Sequence, residues 1–455
     1  MSKVIAAIST PVSPSGLGVI RVSGEQAPTV CERVFAPLNA EKPLTALAGY
    51  RAVYGHVFDN EGTIDECVAT VFRAPHSYTG ENVVELSCHG GVYLLQRTLR
   101  ALFAAGAVPA EAGEFTRRAF LNGKMDLTRA EAVMDLIAAE GRLAAKTALS
   151  SREGAVFRAL APIKEQLIDL QAQIAAFVDY PDDDIPELAP NQLETVLNES
   201  LSVLRRLLET YDAGRLLRAG IDTAIVGSPN VGKSTLMNCL AGHDRSIVTA
   251  VAGTTRDVVE ESVRVGELTL RLSDTAGIRE TDDVVEAIGV ERSRKRLETA
   301  ALVLAVFDSS RPLSDDDKQL IEQLPKETTI AVLNKQDLEN KIDKEYIQNR
   351  IQRIVFMKAA SGDGKEQLER EIAEITGVQR LDGAEPILGT ERQRECVRRA
   401  EAALSEALEA VAMGLSQDAV GVSIDGALAA LLELTGERTT EAVVDGIFAR
   451  FCVGK

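Results

Sequence analysis

Short apolar runs broken by turn residues fill the first 122 positions. Residues 19–22, 68–72 and 83–86 alternate in the manner of strands, and 94–105 has the spacing of a helix. This stretch reads as an α+β unit. From about 124 to 215 the period changes to that of helices. Leu167, Leu170, Ile174 and Phe177 fall on one face, as do Leu197, Leu201, Leu204, Leu208 and Tyr211. Tyr180-Pro181-Asp182-Asp183-Asp184-Ile185-Pro186 breaks the two faces and reads as a loop between antiparallel helices.

From 221 to about 376, strands and helices alternate. Candidate strands are 221–226, 268–272, 302–307, 329–333 and 354–357. Such alternation predicts a mostly parallel sheet with helices on both faces. Residues 383–455 return to a helical, Ala-rich pattern. The expected architecture is a helical domain interrupted by an inserted α/β domain, with boundaries at 1–122, 123–215, 216–382 and 383–455.

A chain of 455 residues leaves room for about two to four domains. The N-terminus lacks the features of a signal peptide, and the longest apolar run, 300–307, is far short of the roughly 20 residues of a membrane span. A cytoplasmic protein without a membrane partner is expected. Six cysteines, none in a C-x-x-C pair, predict neither a disulfide framework nor a structural zinc site. The net charge of −18 opposes nucleic acid globally, so any nucleic-acid partner must dock on a local basic patch.

Gly227-Ser228-Pro229-Asn230-Val231-Gly232-Lys233-Ser234-Thr235 follows an apolar strand and opens a helix, the setting of a phosphate-binding loop. Its backbone N–H groups would wrap phosphates at a positive helix end. Lys233 would reach the β- and γ-phosphates, and Ser234 would ligate Mg²⁺. Asp274-Thr275-Ala276-Gly277 follows in the right order. Asp274 would hold Mg²⁺ through water, and the Gly277 amide would sense the γ-phosphate. Thr255, in Gly253-Thr254-Thr255-Arg256-Asp257, lies between them as a switch residue and Mg²⁺ ligand.

Asn334-Lys335-Gln336-Asp337 closes the fifth strand. The Asp337 carboxylate can accept from guanine N1–H and the 2-amino group, donors that adenine lacks, so GTP is the expected nucleotide. Lys358-Ala359-Ala360 stands where the last guanine motif belongs; the Ala359 amide can meet guanine O6. Ras-type proteins orient the attacking water with a Gln after D-x-x-G. Here that residue is Ile278, which cannot hydrogen-bond water, so the water must be placed by another group.

These motifs, together with 19–24, 76–85, 113–124 and the final Phe451-Cys452-Val453-Gly454-Lys455, resemble the MnmE (TrmE) family of tRNA modification GTPases along essentially the whole chain. The resemblance implies an N-terminal folate-binding and dimerisation domain, a discontinuous helical domain and an inserted Ras-like P-loop G domain. It implies a homodimer that works with a FAD-containing partner, MnmG (GidA), in a heterotetramer or larger assembly. The expected reaction places an aminomethyl or carboxymethylaminomethyl group on C5 of the tRNA wobble uridine. Its one-carbon unit comes from a tetrahydrofolate derivative.

By motif position, the resemblance assigns a K⁺ site to Asn230, Thr249, Val251 and Thr254, with Thr249 also near the nucleotide, and gives the water-orienting role to Glu286. It assigns folate contacts to Arg21, Glu85, Lys124 and Lys455, and places Cys452 at the modification centre as nucleophile, acid or base. A rival reading is a ribosome-assembly GTPase switch without covalent RNA chemistry. That class usually adds a basic RNA-binding module, and no such segment follows the G motifs here.

Overall fold

The structure, a computed structural model, describes residues 3–38, 43–180, 186–241, 261–272 and 300–455. The N-terminal stretch forms a sheet of seven strands: β1 (Ile5–Ile8), β2 (Ser15–Ser23), β3 (Phe35–Pro37), β4 (Arg51–Asp59), β5 (Gly62–Phe72), β6 (Val83–Gly90) and β7 (Val108–Pro109). Their order is β3-β4-β5-β6-β2-β1-β7. Neighbours run antiparallel except β1 and β7. Helices α1 (Ala27–Glu32), α2 (Val92–Ala104) and α3 (Glu114–Leu121) accompany it.

The period-2 pattern decides which side chains go where. Ile20, Val22, Val84 and Leu86 are fully buried in one core with Leu95 and Leu102 of α2. The residues between them face the other way. Arg21 therefore stands opposite Ala7 on β1 and Glu85 on β6. On that second face Ile5, Ala7, Ala110 and Phe115 form a smaller apolar cluster, with Tyr78 packed against it.

Four helices follow: α4 (Leu127–Ala138), α5 (Arg142–Arg152), α6 (Ala155–Asp179) and α7 (Pro190–Ala219). The α6 face is buried at Leu160, Ile163, Leu167, Leu170 and Ile174, while Phe177 is half-buried. On α7 the buried stripe runs Leu193, Leu197, Leu201, Leu204, Leu207 and Tyr211. Leu208, expected on that face, is half-buried beside it. Of the breaking segment 180–186, residues 181–185 lie outside the described ones.

The second sheet contains β8 (Ile221–Val226), β9 (Glu261–Val265), β10 (Leu268–Leu272), β11 (Leu302–Asp308), β12 (Thr329–Asn334) and β13 (Arg353–Phe356), in the order β13-β12-β11-β8-β10-β9. Pairing is parallel throughout except between β9 and β10. Helices α8 (Lys233–Ala241), α9 (Asp315–Gln323), α10 (Lys344–Gln348) and α11 (Lys365–Ile375) belong to it. As a central parallel strand, β11 is apolar on both faces. Leu302, Leu304 and Val306 enter one core, and Val303, Ala305 and Phe307 the other.

The chain closes with α12 (Glu391–Ala412), α13 (Gln417–Thr435) and α14 (Glu441–Phe448). By contact density the chain divides into two compact units. One comprises 1–134, 152–198 and 399–455, the other 135–151 and 199–398. Within the first, α13 packs on α6, where Gly421 lets the helix approach Ile174.

Candidate functional site

The phosphate-binding loop leaves β8 and enters α8. Three of its residues have left-handed φ: Gly227 at +146°, Asn230 at +63° and Gly232 at +100°. A Cβ on Gly227 would collide with the Val306 carbonyl of β11, and one on Gly232 with the Asn334 side-chain amide. Both glycines are thus required by close approach as well as by backbone angle. Lys233 folds back, its ammonium donating to the carbonyls of Gly227 at 2.7 Å and Ser228 at 2.9 Å. Burial lowers its pKa from the usual lysine value. Ser234 and Thr235 lie exposed on the first turn of α8.

The strip after β12 is wired to this loop. Asn334 Nδ2 donates to Val231 O at 3.0 Å, and Asn334 Oδ1 accepts from the Ala359 amide at 3.0 Å. One buried side chain thereby joins the phosphate loop to Lys358-Ala359-Ala360. Lys335, at φ +61°, pairs with Asp308 at 2.7 Å. Burial alone would raise the Asp308 pKa; hydrogen bonds from Lys335 and Ser310 outweigh it and hold the carboxyl low. Asp337 stands exposed. Thr249, Val251, Thr254, Thr255, Asp274, Thr275, Ala276, Gly277 and Glu286 lie outside the described residues.

A second cluster forms on the N-terminal sheet. Arg21 Nε and Nη2 both meet Glu85 Oε1 at 2.8 Å, and Nη1 donates to the Gly454 carbonyl at 3.5 Å. The guanidinium carbon sits 5.3 Å from the Tyr78 ring centre and 5.7 Å from that of Phe115. The tail is threaded in by backbone bonds. Val453 bridges Ala112, Lys455 O accepts from the Phe115 amide at 3.2 Å, and Ser9 Oγ donates to Gly454 O at 3.1 Å. Gly454 has φ +98°, and a Cβ there would strike the Ile8 carbonyl.

Burial, then the charge of Arg21, lowers the Lys455 pKa. Two cations held this close fit an anionic ligand, and Glu85 and the rings fit one with N–H donors and a flat face. Of the six cysteines only Cys452 is exposed. Its carbonyl accepts from Gly113 at 3.4 Å and from Lys455 at 3.3 Å.

The structure thus brings Arg21, Glu85, Lys455 and the Cys452 backbone together. Lys124 is placed differently: it is exposed and donates to the Pro75 carbonyl at 2.9 Å. Sequence reasoning missed Tyr78, Phe115 and Ser9. The first two lie inside segments singled out for their resemblance, but only the folded chain, which brings the loop before β6 and helix α3 over β2, shows that they surround Arg21.

The chain matches two family profiles, "GTP-binding protein TrmE N-terminus" over 4–124 and "MnmE helical domain" over 127–452. It is 39% identical over 459 residues to the tRNA modification GTPase MnmE of Alkaliphilus oremlandii, covering 99% of each chain. To the tRNA modification GTPase MnmE of Symbiobacterium thermophilum it is 41% identical over 455 residues, again covering 99% of each. The chain belongs to the MnmE family.

Among solved structures, a variant of Aquifex aeolicus Era bound to GDP·AlF4⁻ is 27% identical, covering 40% of this chain and 66% of that one at a TM-score of 0.27. The basic pairs Arg117-Arg118 and Arg398-Arg399 are ion-paired. Arg117 pairs with Asp445 at 3.1 Å, Arg118 with Glu114 at 2.8 Å, and Arg398 with Glu395 at 2.7 Å. Arg292, Arg294, Lys295 and Arg296, the densest basic run of the sequence, lie outside the described residues. Among the described residues no helix is long and apolar enough to cross a membrane.

Proposed function

We propose that this chain hydrolyses GTP and, with a FAD-containing partner of the MnmG type, builds the aminomethyl or carboxymethylaminomethyl group at C5 of the tRNA wobble uridine. The nucleotide half rests on Lys233, on Asn334 joining the two loops, and on Asp337 at the base position. Mg²⁺ would be held by Ser234 and Thr255, and K⁺ by Asn230, Thr249, Val251 and Thr254. Bound there, the cations would neutralise charge growing on the β- and γ-phosphates. Glu286 would orient the attacking water. In this reading the protein is a homodimer, and potassium acts as its G domains pair.

What supports the modification half is the docking of the tail: the Gly454 carbonyl lies on Arg21, the Cys452 carbonyl accepts from the Gly113 and Lys455 amides, and Cys452 is exposed. A tetrahydrofolate bound at that cluster would supply the one-carbon unit. Arg21 and Lys455 would hold its anionic groups, and Glu85 would accept from its N–H donors. Cys452 would act on the uridine. As a thiolate adding to C6 it would make C5 nucleophilic toward the one-carbon unit, whose π bond to the folate nitrogen would break as the bond to C5 forms. Loss of the C5 proton and departure of the thiolate would then restore the ring, and an amine nitrogen would replace the folate nitrogen on that carbon, releasing tetrahydrofolate. As an acid or base it would move that C5 proton instead.

The test is Cys452→Ser in cells making only the variant. Mass spectrometry of wobble uridines should show the modified base gone while the purified variant still hydrolyses GTP. Fully modified tRNA from the Ser variant would refute the assignment.

A further inference from the structure

Asp317 occupies the third position of α9 and is 3% exposed. One carboxylate oxygen, Oδ2, accepts from the Ser314 amide at 3.0 Å and the Ser314 hydroxyl at 2.8 Å, closing a capping box. The other, Oδ1, accepts from the Ser228 hydroxyl at 2.6 Å. Ser228 is the second residue of the phosphate loop, 89 positions away. Burial alone would raise the Asp317 pKa, but the bonds from Ser228 and Ser314 prevail and hold the carboxyl low. It is therefore a fixed anion, locked to a helix cap on one side and to the loop on the other. Arg311 lies 3.7 Å from Oδ2.

The loop needs such a tether. It carries three left-handed φ angles, one at the non-glycine Asn230, a conformation that costs about 1–2 kcal/mol for an ordinary L-residue. In the structure its first half is held by two groups. Lys233 bonds the carbonyls of Gly227 and Ser228, and Asp317 bonds the Ser228 hydroxyl. A phosphate-binding lysine must turn to the phosphates when nucleotide arrives. Asp317 is the side-chain tether on the Ser228 hydroxyl, independent of the bonds that the Lys233 ammonium makes.

We propose that Asp317 is a positioning residue for nucleotide binding: through Ser228 it holds the first half of the phosphate loop in the shape that receives phosphates. This rests on the chain binding GTP. Because the contact does not touch the γ-phosphate, GDP and GTP should feel its loss alike. A hydrogen bond to a charged group justifies an effect of about 10-fold.

Ser228→Ala removes the tether and leaves the capping box intact. In the full-length protein, fluorescent GDP and GTP analogues should both bind about 10-fold more weakly. KM for GTP should rise in step while kcat stays near that of the parent, the pattern of lost uniform binding. Ser228→Thr, which keeps the hydroxyl, should restore affinity. In a double-mutant cycle with Asp317→Asn, the Ser228→Ala change should add little. Unchanged affinity in a folded Ser228→Ala protein overturns the proposal, as does full additivity in the cycle. A parent protein that binds no GTP at all would instead overturn the reading of the nucleotide site itself.

Discussion

Replacing Asn334 by Ala tests the wiring of the nucleotide site most directly. The side chain is 3% exposed and joins two buried backbone groups, the Val231 carbonyl and the Ala359 amide. Neither gains another protein partner when the amide is removed. An orphaned buried polar group costs about 1–3 kcal/mol, so the two together cost about 2–6 kcal/mol, nearer the lower figure if water enters the vacated space. The core of β11 and β12 is untouched, so the domain should still fold, with its two loops released from each other. Taking about 2 kcal/mol against nucleotide binding, GTP affinity should fall about 30-fold. Titration with a fluorescent GTP analogue measures this. Hydrogen exchange at the Ala359 amide in nucleotide-free protein gives an independent reading, because its protection should collapse. Affinity within threefold of the parent, with Ala359 still protected, would refute the argument.

Asp337→Asn should exchange GTP preference for xanthosine triphosphate, since the amide donates where the carboxylate accepted; competition between the two nucleotides reads the change. GTP turnover should be faster in potassium than in sodium chloride by about 10³-fold, the lower end of what an arginine finger supplies, and equal rates would remove the assigned K⁺ site. Lys455 gives a pH test. Its folded pKa is below the unfolded value of about 10.4, so the charged side chain opposes docking at neutral pH and the opposition is lifted as pH rises through the folded pKa. Intrinsic-rate-corrected protection of the Phe115 amide, which donates to Lys455 O, should increase over that window in the parent and stay flat in Lys455→Met.

Much of this was legible from period and punctuation. β8 and β10 fall on the expected 221–226 and 268–272 because each is a short, uninterrupted apolar or alternating run. β9 was not expected: Glu261-Ser262-Val263-Arg264-Val265 is an edge strand with charges at Glu261 and Arg264, and it takes its structure from the hairpin with β10. The α7 stripe slipped from Leu208 to Leu207 because both lie near the boundary of a helical face, and neighbours decide between them. The loop glycines were readable from their motif, whereas the partners that make them necessary, Val306 and Asn334, are visible only in three dimensions. Asp317 sits in the run Asp315-Asp316-Asp317, where composition alone suggests a solvated helix start; the fold buries one of the three. Arg21 and Glu85 are 64 positions apart, and only strand register makes them a pair.

The bond from Ser9 to Gly454 closes a loop of 445 positions. Closure entropy grows only logarithmically, so doubling the chain between these residues would add about 0.6 kcal/mol. A whole nucleotide-binding domain can therefore lie between the two halves of the tail cluster at little thermodynamic cost. The kinetic consequence runs the other way. During synthesis the N-terminal sheet can fold early, with Arg21 and Glu85 already paired, but the cluster lacks its third wall until residue 454 has emerged. GTP-binding parts made earlier in the chain are complete before that moment. A nascent or truncated chain would then fold its phosphate loop while lacking the wall that Gly454 adds beside Arg21.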